Sequence, residues 1–314
     1  MRRLVALIGS ALVVGCLAPA HAAADPGGAR IDRVDELTPT RSSLFIDSPA
    51  MQRIVEVQVL HPAGGGSRPS LYLLDGIDSG ADQNMWTMKT DVVQFFADKD
   101  VNVVLPVGGH ATYYTDWQSH DPTLGLNRWE TFLTEELPPL IDRQSNGNGT
   151  NAIAGLSMGG QAALTLASRH RNLYRGVGAF SACPDTRTPT ARSFIRASVA
   201  AKGGNADNMW GTDANPDWAA NDPITNAANL RGLAIYQSVG NGIPGPRDTL
   251  ETATSLIGPL EVGANACTRT FDQRLQSLGI PAKFVYRPVG THSWGYWQDD
   301  LHDSWSTLGP AIGR

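Results

Sequence analysis

Cysteine, aromatic residues and basic runs are all scarce in this sequence. Its 314 residues include 3 cysteines and 7% aromatic residues, with 25 lysines and arginines and 30 aspartates and glutamates. The resulting net charge of -5 is mild, and the lack of any basic stripe argues against a nucleic-acid partner. The cysteines also lack the CxxC or Cys/His spacing of a metal site, so no metal is expected.

Long apolar runs are absent beyond the N-terminus. There, two arginines precede an apolar run over 4–17, and an A-x-A cleavage site comes after it at 20–22. This arrangement is typical of a secretory signal peptide, here residues 1–24, and the run is too short for a stable membrane span. We therefore expect a secreted or cell-envelope protein. Residues 13–16 are also similar to a lipobox, so lipidation of Cys16 stays open as an alternative.

Export changes how the remaining cysteines are interpreted. Once the signal peptide is removed, Cys183 and Cys267 are left as an even pair in an oxidising compartment. We predict that they form a disulfide.

The apolar pattern predicts an α/β protein. Predicted strands alternate with predicted helices along the mature chain, which implies βαβ units, a mostly parallel sheet and helices on both of its faces. We predict a flexible polar lead-in over 25–42 and one domain over 43–314. Strands are predicted at 53–60, 70–74, 101–107, 151–154, 176–180, 233–239 and 283–289, and helices at 91–97, 129–141, 158–170, 191–201, 267–278 and 296–308.

Eight tryptophans stand mostly beside polar residues or glycine. Such placement suits a groove that stacks sugars or holds an acyl chain, and it equally suits ordinary half-buried packing. The sequence leaves both interpretations open.

A serine lies between a short apolar strand and a small-residue helix. Gly155-Leu156-Ser157-Met158-Gly159 is the nucleophile-elbow pattern of α/β-hydrolases, in which a sharp turn exposes the serine. The helix N-terminus then faces the negative charge that develops during attack. Ser157 is the predicted nucleophile, and the alternative is a serine that only caps the helix.

The serine needs a base, and in this fold the acid and then the histidine come after it along the chain. His292 lies on a loop after a buried strand, whereas His302 lies within a helix beside three aspartates, as a solvated residue would. We predict His292 as the base. For the acid, spacing alone leaves four candidates open: Asp248, Glu251, Glu261 and Asp272.

An oxyanion requires two backbone N–H donors. The residue after the nucleophile, Met158, supplies one in this fold. The other is predicted at Ile77, because Asp75-Gly76 ends an early strand. A simple turn is the alternative for Asp75-Gly76.

Several further stretches are shared with one family. The chain resembles the antigen-85 and corynebacterial mycolyltransferases, of the esterase D-like α/β-hydrolases, from about residue 44 to 308. The stretches that carry the resemblance are Ser48-Pro49-Ala50-Met51, Tyr72-Leu73-Leu74-Asp75-Gly76, Leu105-Pro106-Val107-Gly108-Gly109, Tyr114-Thr115-Asp116-Trp117, the run over 129–138, Gly155-Leu156-Ser157-Met158, Asp207-Asn208-Met209-Trp210-Gly211, Asn221-Asp222-Pro223, Gly290-Thr291-His292-Ser293-Trp294 and Tyr296-Trp297.

The resemblance implies roles for particular residues. The family's acid is a glutamate in a Leu-Glu pair ten residues before a phenylalanine, which matches Glu261. Ile77 and Met158 match the oxyanion donors. The candidate sugar contacts are Asp75, Asp78, Asp185, Ser293 and Trp294. At Asp78 the mycobacterial members have an arginine, so sugar recognition there is expected to differ.

The implied activity is a secreted acyltransferase with a Ser157 acyl-enzyme and no cofactor. It would move a mycolyl group between trehalose monomycolates, giving trehalose dimycolate, or onto cell-wall arabinogalactan, with peripheral contact to the mycomembrane. The position of the cysteines is closer to the corynebacterial members, so the acceptor and the acyl length stay open. A secreted carboxylesterase is the first alternative, and a non-catalytic binding protein of the same fold is the second.

Overall fold

The computed structural model describes residues 28–255 and 257–314, and its centre is a 9-stranded sheet. The strands run in the order β1-β2-β3-β5-β4-β6-β7-β8-β9. The first pairings, from β1 to β5, are antiparallel, and those from β5 to β9 are parallel. The strands are β1 (Arg30–Thr38), β2 (Arg41–Ser48), β3 (Arg53–Leu60), β4 (Arg68–Leu74), β5 (Asn102–Pro106), β6 (Gly147–Leu156), β7 (Tyr174–Phe180), β8 (Ala234–Val239) and β9 (Lys283–Tyr286).

Helices connect these strands and cover the sheet. The prediction of a mostly parallel α/β-hydrolase sheet is confirmed. The helices are α1 (Met85–Lys89), α2 (Val92–Phe95), α3 (Trp129–Thr131), which continues through a π-helical stretch (Phe132–Glu136) into α4 (Leu137–Gln144), then α5 (Ser157–Arg169), α6 (Pro189–Ala200), α7 (Ala206–Trp210), α8 (Asp217–Ala220), a 3₁₀ turn (Ala227–Leu230), α9 (Leu250–Thr254), α10 (Ile257–Ser277) and α11 (Trp294–Ala311).

Both faces of the sheet are buried. Along β4, Tyr72 and Leu74 belong to the hydrophobic cluster on one face, and Leu71 and Leu73 belong to the cluster on the other. Alternate side chains of a strand point to opposite faces, so a strand covered on both sides must be apolar throughout. This is why the central strands appear as continuous apolar runs in the sequence.

Most of the tryptophans are packing residues. Of the eight, five are buried almost completely: Trp86, Trp117, Trp129, Trp210 and Trp218. Ordinary packing therefore accounts for them, and the interpretation as a stacking groove remains for Trp294 and Trp297, which line a large cavity next to Ser157.

The prediction of a flexible lead-in is wrong for residues 30–42. Strand β1 pairs antiparallel with β2 along its length, so the ordered domain begins before residue 43. The error has a physical reason: β1 is an edge strand whose side chains are mostly polar and exposed, and it lacks the apolar alternation of a half-buried strand. The predicted signal peptide, residues 1–24, lies outside the described residues.

The helix that carries the predicted acid is also longer than expected. The sequence predicts a helix over 267–278, but α10 starts at Ile257 and therefore includes Glu261. Gly258, Pro259 and Gly263 hide the helical pattern, although proline is tolerated in a first helical turn. Among the described helices, none is long and apolar enough to span a membrane. Within the same residues, no cluster of His, Cys, Asp or Glu has the arrangement of a metal site.

Candidate active site

The serine of the elbow lies at the junction of β6 and α5. Its φ of 51° is in the left-handed region, which is strained for a residue with a side chain. The neighbouring glycines permit this turn. A Cβ on Gly155 would lie 2.5 Å from the carbonyl oxygen of Gly159, and one on Gly159 would lie 2.3 Å from that of Asp75. No larger residue fits either position, so the spacing of the motif results from close backbone contact.

Ser157, His292 and Glu261 form a continuous hydrogen-bonded chain. His292 Nε2 lies 2.8 Å from Ser157 Oγ, and His292 Nδ1 lies 2.8 Å from Glu261 Oε2. A hydroxyl, an imidazole and a carboxylate in this order are the arrangement that allows a serine to lose its proton during attack. The structure therefore brings together the three residues that the sequence and the resemblance predicted.

Glu261 is fully buried and has other hydrogen-bond partners besides His292. Its Oε1 accepts hydrogen bonds from Ser181 Oγ at 2.8 Å, from the Gly240 N–H at 2.5 Å and from Arg287 Nη2 at 3.3 Å. A buried carboxylate is costly unless it is paired and hydrogen-bonded, and here both conditions are met. These contacts fix the carboxylate in the position from which it orients His292.

Arg287 also pairs with a second buried acid, Asp300. Burial raises the pKa of Asp300 to about 6, against the opposing effect of the Arg287 charge and hydrogen bonds. The guanidinium thus lies between two carboxylates, and it links α10 to α11 behind the histidine. No motif in the sequence singled out Arg287, whose only signal was its place at the end of the strand that precedes His292.

The remaining acid candidates have other partners. Asp248 accepts hydrogen bonds from Thr291 Oγ1 and from Tyr296 Oη, the latter at 2.8 Å, and so braces the loop that holds His292. Asp272 accepts one from Tyr286 Oη at 2.9 Å. Glu251 is exposed on α9. Of the four candidates, only Glu261 bonds to His292.

The second histidine belongs to a different part of the surface. His302 Nε2 lies 2.9 Å from Asp91 Oδ1, and its ring stacks on Phe95 with 4.0 Å between centroids. His292 was therefore the correct choice for a partner of Ser157.

A cavity of about 980 Å³ opens beside Ser157 and His292. One wall is α6, with Phe194 and Ile195, and the other is α10, with Leu260 and Ala264. Because its lining is mainly apolar, the cavity suits a long hydrocarbon chain better than a sugar alone.

The predicted disulfide is present and borders this cavity. Cys183 and Cys267 are joined, with 4.9 Å between their Cα atoms. Cys183 lies just after β7 and Cys267 lies on α10, so the bond fixes the helix that carries Glu261 to the sheet.

The predicted oxyanion donors flank the serine. Ile77 and Met158 both line the cavity with Ser157. The chain at Gly76 runs so close that a Cβ there would lie 3.8 Å from Ser157 Cβ. The chain next to Ile77 thus passes close to the nucleophile, as the segment that carries an oxyanion donor must. Donation by their N–H groups stays a prediction.

Four of the five predicted sugar contacts line the cavity: Asp78, Asp185, Ser293 and Trp294. Asp78 forms an ion pair with Lys202, which lies two residues after the end of α6. Asp185 accepts hydrogen bonds within its own loop, from the Arg187 N–H at 2.8 Å and Thr188 Oγ1 at 2.7 Å. Trp294 packs edge-on against Trp86, with 5.5 Å between centroids. Their contacts with a sugar remain predictions.

The fifth, Asp75, lies behind the cavity wall. It is fully buried, and its Oδ2 accepts a hydrogen bond from the Met85 N–H at 2.9 Å. Burial raises the pKa of its carboxyl to about 7, although the Met85 and Trp86 N–H groups act in the opposite direction. In the described structure Asp75 therefore holds the first turn of α1.

Two further lining residues were missed from the sequence. Lys202 was hidden because it lies far along the chain from Asp78. Gln161 lies four residues after Ser157, on the helix that begins at the nucleophile, and lines the same cavity. The i, i+4 relation to the nucleophile was a signal that could have identified it.

Comparison with known proteins places the chain in a family. A family model described as "Putative esterase" matches residues 48–308. The chain is 34% identical to the Diacylglycerol acyltransferase/mycolyltransferase Ag85A of Mycobacterium leprae, over 98% of this chain and 91% of that protein. It is also 34% identical to the Ag85B enzyme of Mycolicibacterium smegmatis, over 86% of this chain and 85% of that one.

Solved structures agree on the fold. Mycobacterium tuberculosis MPT51 (FbpC1) superposes with a TM-score of 0.76 at 24% identity, covering 89% of this chain and 99% of that one. An S-formylglutathione hydrolase from Agrobacterium tumefaciens superposes with a TM-score of 0.68 at 15% identity, covering 90% and 99%. The protein belongs to the esterase family of α/β-hydrolases and, within it, to the group that contains the Ag85 mycolyltransferases.

Proposed function

We propose that this protein is an exported serine acyltransferase that carries a mycolyl group from one sugar to another. Trehalose monomycolate would be the donor, and a second trehalose monomycolate or the arabinan of cell-wall arabinogalactan would be the acceptor. One observation carries the proposal: the Ser157–His292–Glu261 chain borders an apolar cavity of about 980 Å³. The names of the Ag85 relatives support the choice of acyl group.

In the first half of the reaction, Ser157 Oγ attacks the ester carbonyl while His292 Nε2 takes its proton. Glu261 holds the imidazole in the required tautomer and stabilises the imidazolium. The N–H groups of Ile77 and Met158 stabilise the oxyanion. When the intermediate collapses, His292 returns the proton to the leaving trehalose oxygen, and the acyl chain stays on Ser157.

In the second half, an acceptor hydroxyl replaces the departed trehalose. His292 takes its proton, the new oxygen attacks the acyl carbonyl, and Ser157 leaves with the proton returned to it. Transfer exceeds hydrolysis only when the sugar is held over the acyl-enzyme at high effective concentration. Asp78, Asp185, Ser293 and Trp294 line the cavity and would hold that sugar, and Asp75 lies behind them.

The expected location is based on the N-terminus and on the substrate. Removal of residues 1–24 would release the enzyme to the cell envelope, where mycolyl glycolipids and arabinogalactan occur. Peripheral contact with the mycomembrane would allow the donor chain to enter the cavity between α6 and α10.

The test is to incubate purified protein with trehalose monomycolate and to measure trehalose dimycolate and free mycolic acid. We expect dimycolate as the main product. The Ser157→Ala variant, the matched control, should lose roughly a thousandfold or more of this activity. Free acid without dimycolate would contradict transfer.

That outcome would favour a secreted carboxylesterase, the alternative suggested by the wider esterase family. Water would then be the acceptor with the same Ser157 chemistry. A non-catalytic binding protein is the remaining alternative, and a fluorophosphonate probe separates it: we expect labelling of Ser157, whereas a binding protein without an activated serine would stay unlabelled.

A further inference from the structure

A buried ion pair lies behind the acid of the triad. Arg287 comes just after β9 and Asp300 lies on α11, and their side chains are 14% and 4% exposed. The guanidinium also reaches Glu261, with 3.3 Å between Arg287 Nη2 and Glu261 Oε1. One cation thus has two carboxylates as neighbours, and one of these carboxylates bonds to the histidine that activates Ser157.

This arrangement brings a positive charge close to the base. The carboxylate of Glu261 favours the imidazolium of His292, which helps during attack but also promotes protonation of the free enzyme. A protonated imidazole cannot take the proton of Ser157. The Arg287 cation, on the far side of the same carboxylate, acts in the opposite direction. Because these side chains are buried or nearly so, solvent screens their charges weakly.

Asp300 determines how much of the Arg287 charge is offset. Burial raises the pKa of Asp300 to about 6, against the opposing effect of the Arg287 charge. Its Oδ2 has no hydrogen-bond partner among the described residues, so a proton can bind there without breaking a contact. Above about pH 6 the pair is neutral, and below it the guanidinium is no longer offset by Asp300. The cation therefore opposes protonation of the histidine most strongly in mildly acid solution.

The other titratable side chains around this pair are tyrosines and aspartates. The Tyr296 ring lies 5.2 Å from the Arg287 guanidinium, and its hydroxyl bonds to Asp248 at 2.8 Å. On β8, the hydroxyl of Tyr236 bonds to Asp303 at 3.0 Å. Burial raises the pKa of both tyrosines, and hydrogen bonds keep the pKa of Asp248 below its ordinary value although burial opposes them. These three groups thus keep a constant charge where histidine titrates, at about pH 5–8, whereas that of Asp300 changes.

We propose that Arg287 is a positioning residue of the triad that offsets the charge of Glu261, so that His292 stays neutral and able to act as a base in mildly acid solution. Its hydrogen bond holds Glu261 Oε1 while Oε2 faces the imidazole. Asp300 sets how much of its charge reaches the base. The inference rests on the Ser157 chemistry of the proposed function and goes beyond it, since it concerns the pH range in which that chemistry operates.

The test is the pH dependence of kcat/KM on p-nitrophenyl butyrate, whose acid limb reports the base of the free enzyme. Arg287→Met removes the cation and should move the midpoint of that limb upwards by roughly one pH unit. Asp300→Asn removes the anion and should move it downwards by roughly the same amount. Relative to each plateau, a shift of one unit is a change of about tenfold in kcat/KM at a pH below both midpoints.

Two further variants separate the charge of Arg287 from its shape. Arg287→Lys keeps the charge and loses the planar fork, so it should keep the wild-type midpoint and have a lower plateau. Lys283→Met is the matched control, since Lys283 on β9 pairs with Asp303 on α11 at 2.9 Å in an exposed position. Solvent screens that pair, so this variant should keep both the midpoint and the plateau of the wild type.

Titration of the His292 ring by NMR makes the same comparison without turnover. The ring signal, assigned by its loss in His292→Gln, should have a higher midpoint in Arg287→Met than in the wild type and a lower one in Asp300→Asn. This measurement decides the inference even if the protein turns over no ester, an outcome that would contradict the proposed function alone.

Opposite shifts in the two variants would support the inference, because a residue that only links helices has no reason to produce them. Midpoints that stay at the wild-type value, or that move in the same direction, would overturn it. A lower plateau with an unchanged midpoint in Arg287→Met would likewise mean that Arg287 only supports the fold. If Arg287→Met does not fold, Asp300→Asn decides, and the absence of a downward shift there overturns the inference.

Discussion

Asp75 makes the stability of the protein depend on pH. Its folded-state pKa, raised to about 7 by burial, is above the ordinary value of 3.8 for an exposed aspartate. The folded state therefore favours the neutral acid. The stability that this contributes is fully present below pH 4 and is lost as the pH rises through about 7.

Replacing Asp75 with asparagine should remove this dependence. The amide oxygen can still accept the Met85 N–H, and it carries no charge at any pH. The free energy of unfolding of Asp75→Asn relative to wild type should rise between about pH 4 and pH 8, by about 2–4 kcal/mol. Urea unfolding at several pH values measures it.

The control for this prediction is Asp82→Asn, an exposed residue of the same loop region. Solvent screens its carboxylate, so the variant should behave as wild type across the range. A difference between Asp75→Asn and wild type that is constant with pH would contradict a buried, titrating carboxyl.

At the scale of elements, α10 combines several tasks. It carries the acid Glu261, one wall of the cavity, and the cysteine that bonds to the segment after β7. The disulfide spans 84 residues of sequence, so it constrains the unfolded chain strongly. Stability and the alignment of the acid are therefore coupled through one covalent bond.

We predict that the double variant Cys183→Ser/Cys267→Ser is less stable by roughly 4 kcal/mol, the value that chain entropy gives for a loop of this length. Acylation of Ser157 should slow as well, because α10 holds Glu261 less firmly. Urea unfolding and burst kinetics with a p-nitrophenyl ester measure the two effects. Reductant should move the wild type towards the variant and leave the variant unchanged. Equal free energies of unfolding for the oxidised wild type and the double variant would show that the disulfide does not stabilise the fold.

The sequence predicted the central elements because burial dictates them. Strands β4 to β8 are covered on both faces, so their central residues are mostly apolar, and this pattern predicts buried strands. The elbow was equally visible, since its glycines at 155 and 159 are forced by backbone contact. Ser157 and His292 could be chosen from the order of elements in the fold.

The elements that were missed lack such a pattern. Strand β1 is held by backbone pairing at the edge of the sheet, where side chains carry little information. The start of α10 is hidden by glycine and proline, so Glu261 could be chosen only through a family resemblance. Arg287 matters because distant parts of the chain place it between Glu261 and Asp300, and local periodicity does not encode that placement.

At the scale of the whole molecule, the site is built at the carboxyl ends of the parallel strands, far from the antiparallel edge. Five strand spacings separate β1 from β6, about 24 Å at about 4.8 Å each. Residues of the triad come after β6 and β9 or lie on α10. The edge hairpin of β1 and β2 therefore supports the sheet without contributing to the chemistry.

Removing β1 tests this separation. A protein that begins at residue 40 should be less stable than one that begins at residue 25, because β2 becomes an open edge that favours aggregation. Its kcat/KM on a p-nitrophenyl ester should stay within about twofold for the folded fraction, since local stability is not uniform across a structure. Far-UV circular dichroism and active-site titration give that fraction. A large loss of kcat/KM per titrated site would show that the edge and the triad are coupled.

The left-handed backbone at residue 157 also bears on how such proteins evolve. A serine is strained in this conformation, and the strain accompanies its exposed, reactive position. A glycine would adopt the same angles without strain. When catalysis is no longer under selection, a single Ser157→Gly substitution would remove the nucleophile and also relieve the backbone strain, which stabilises the fold. We therefore expect inactive descendants of such enzymes to keep the fold and its apolar cavity.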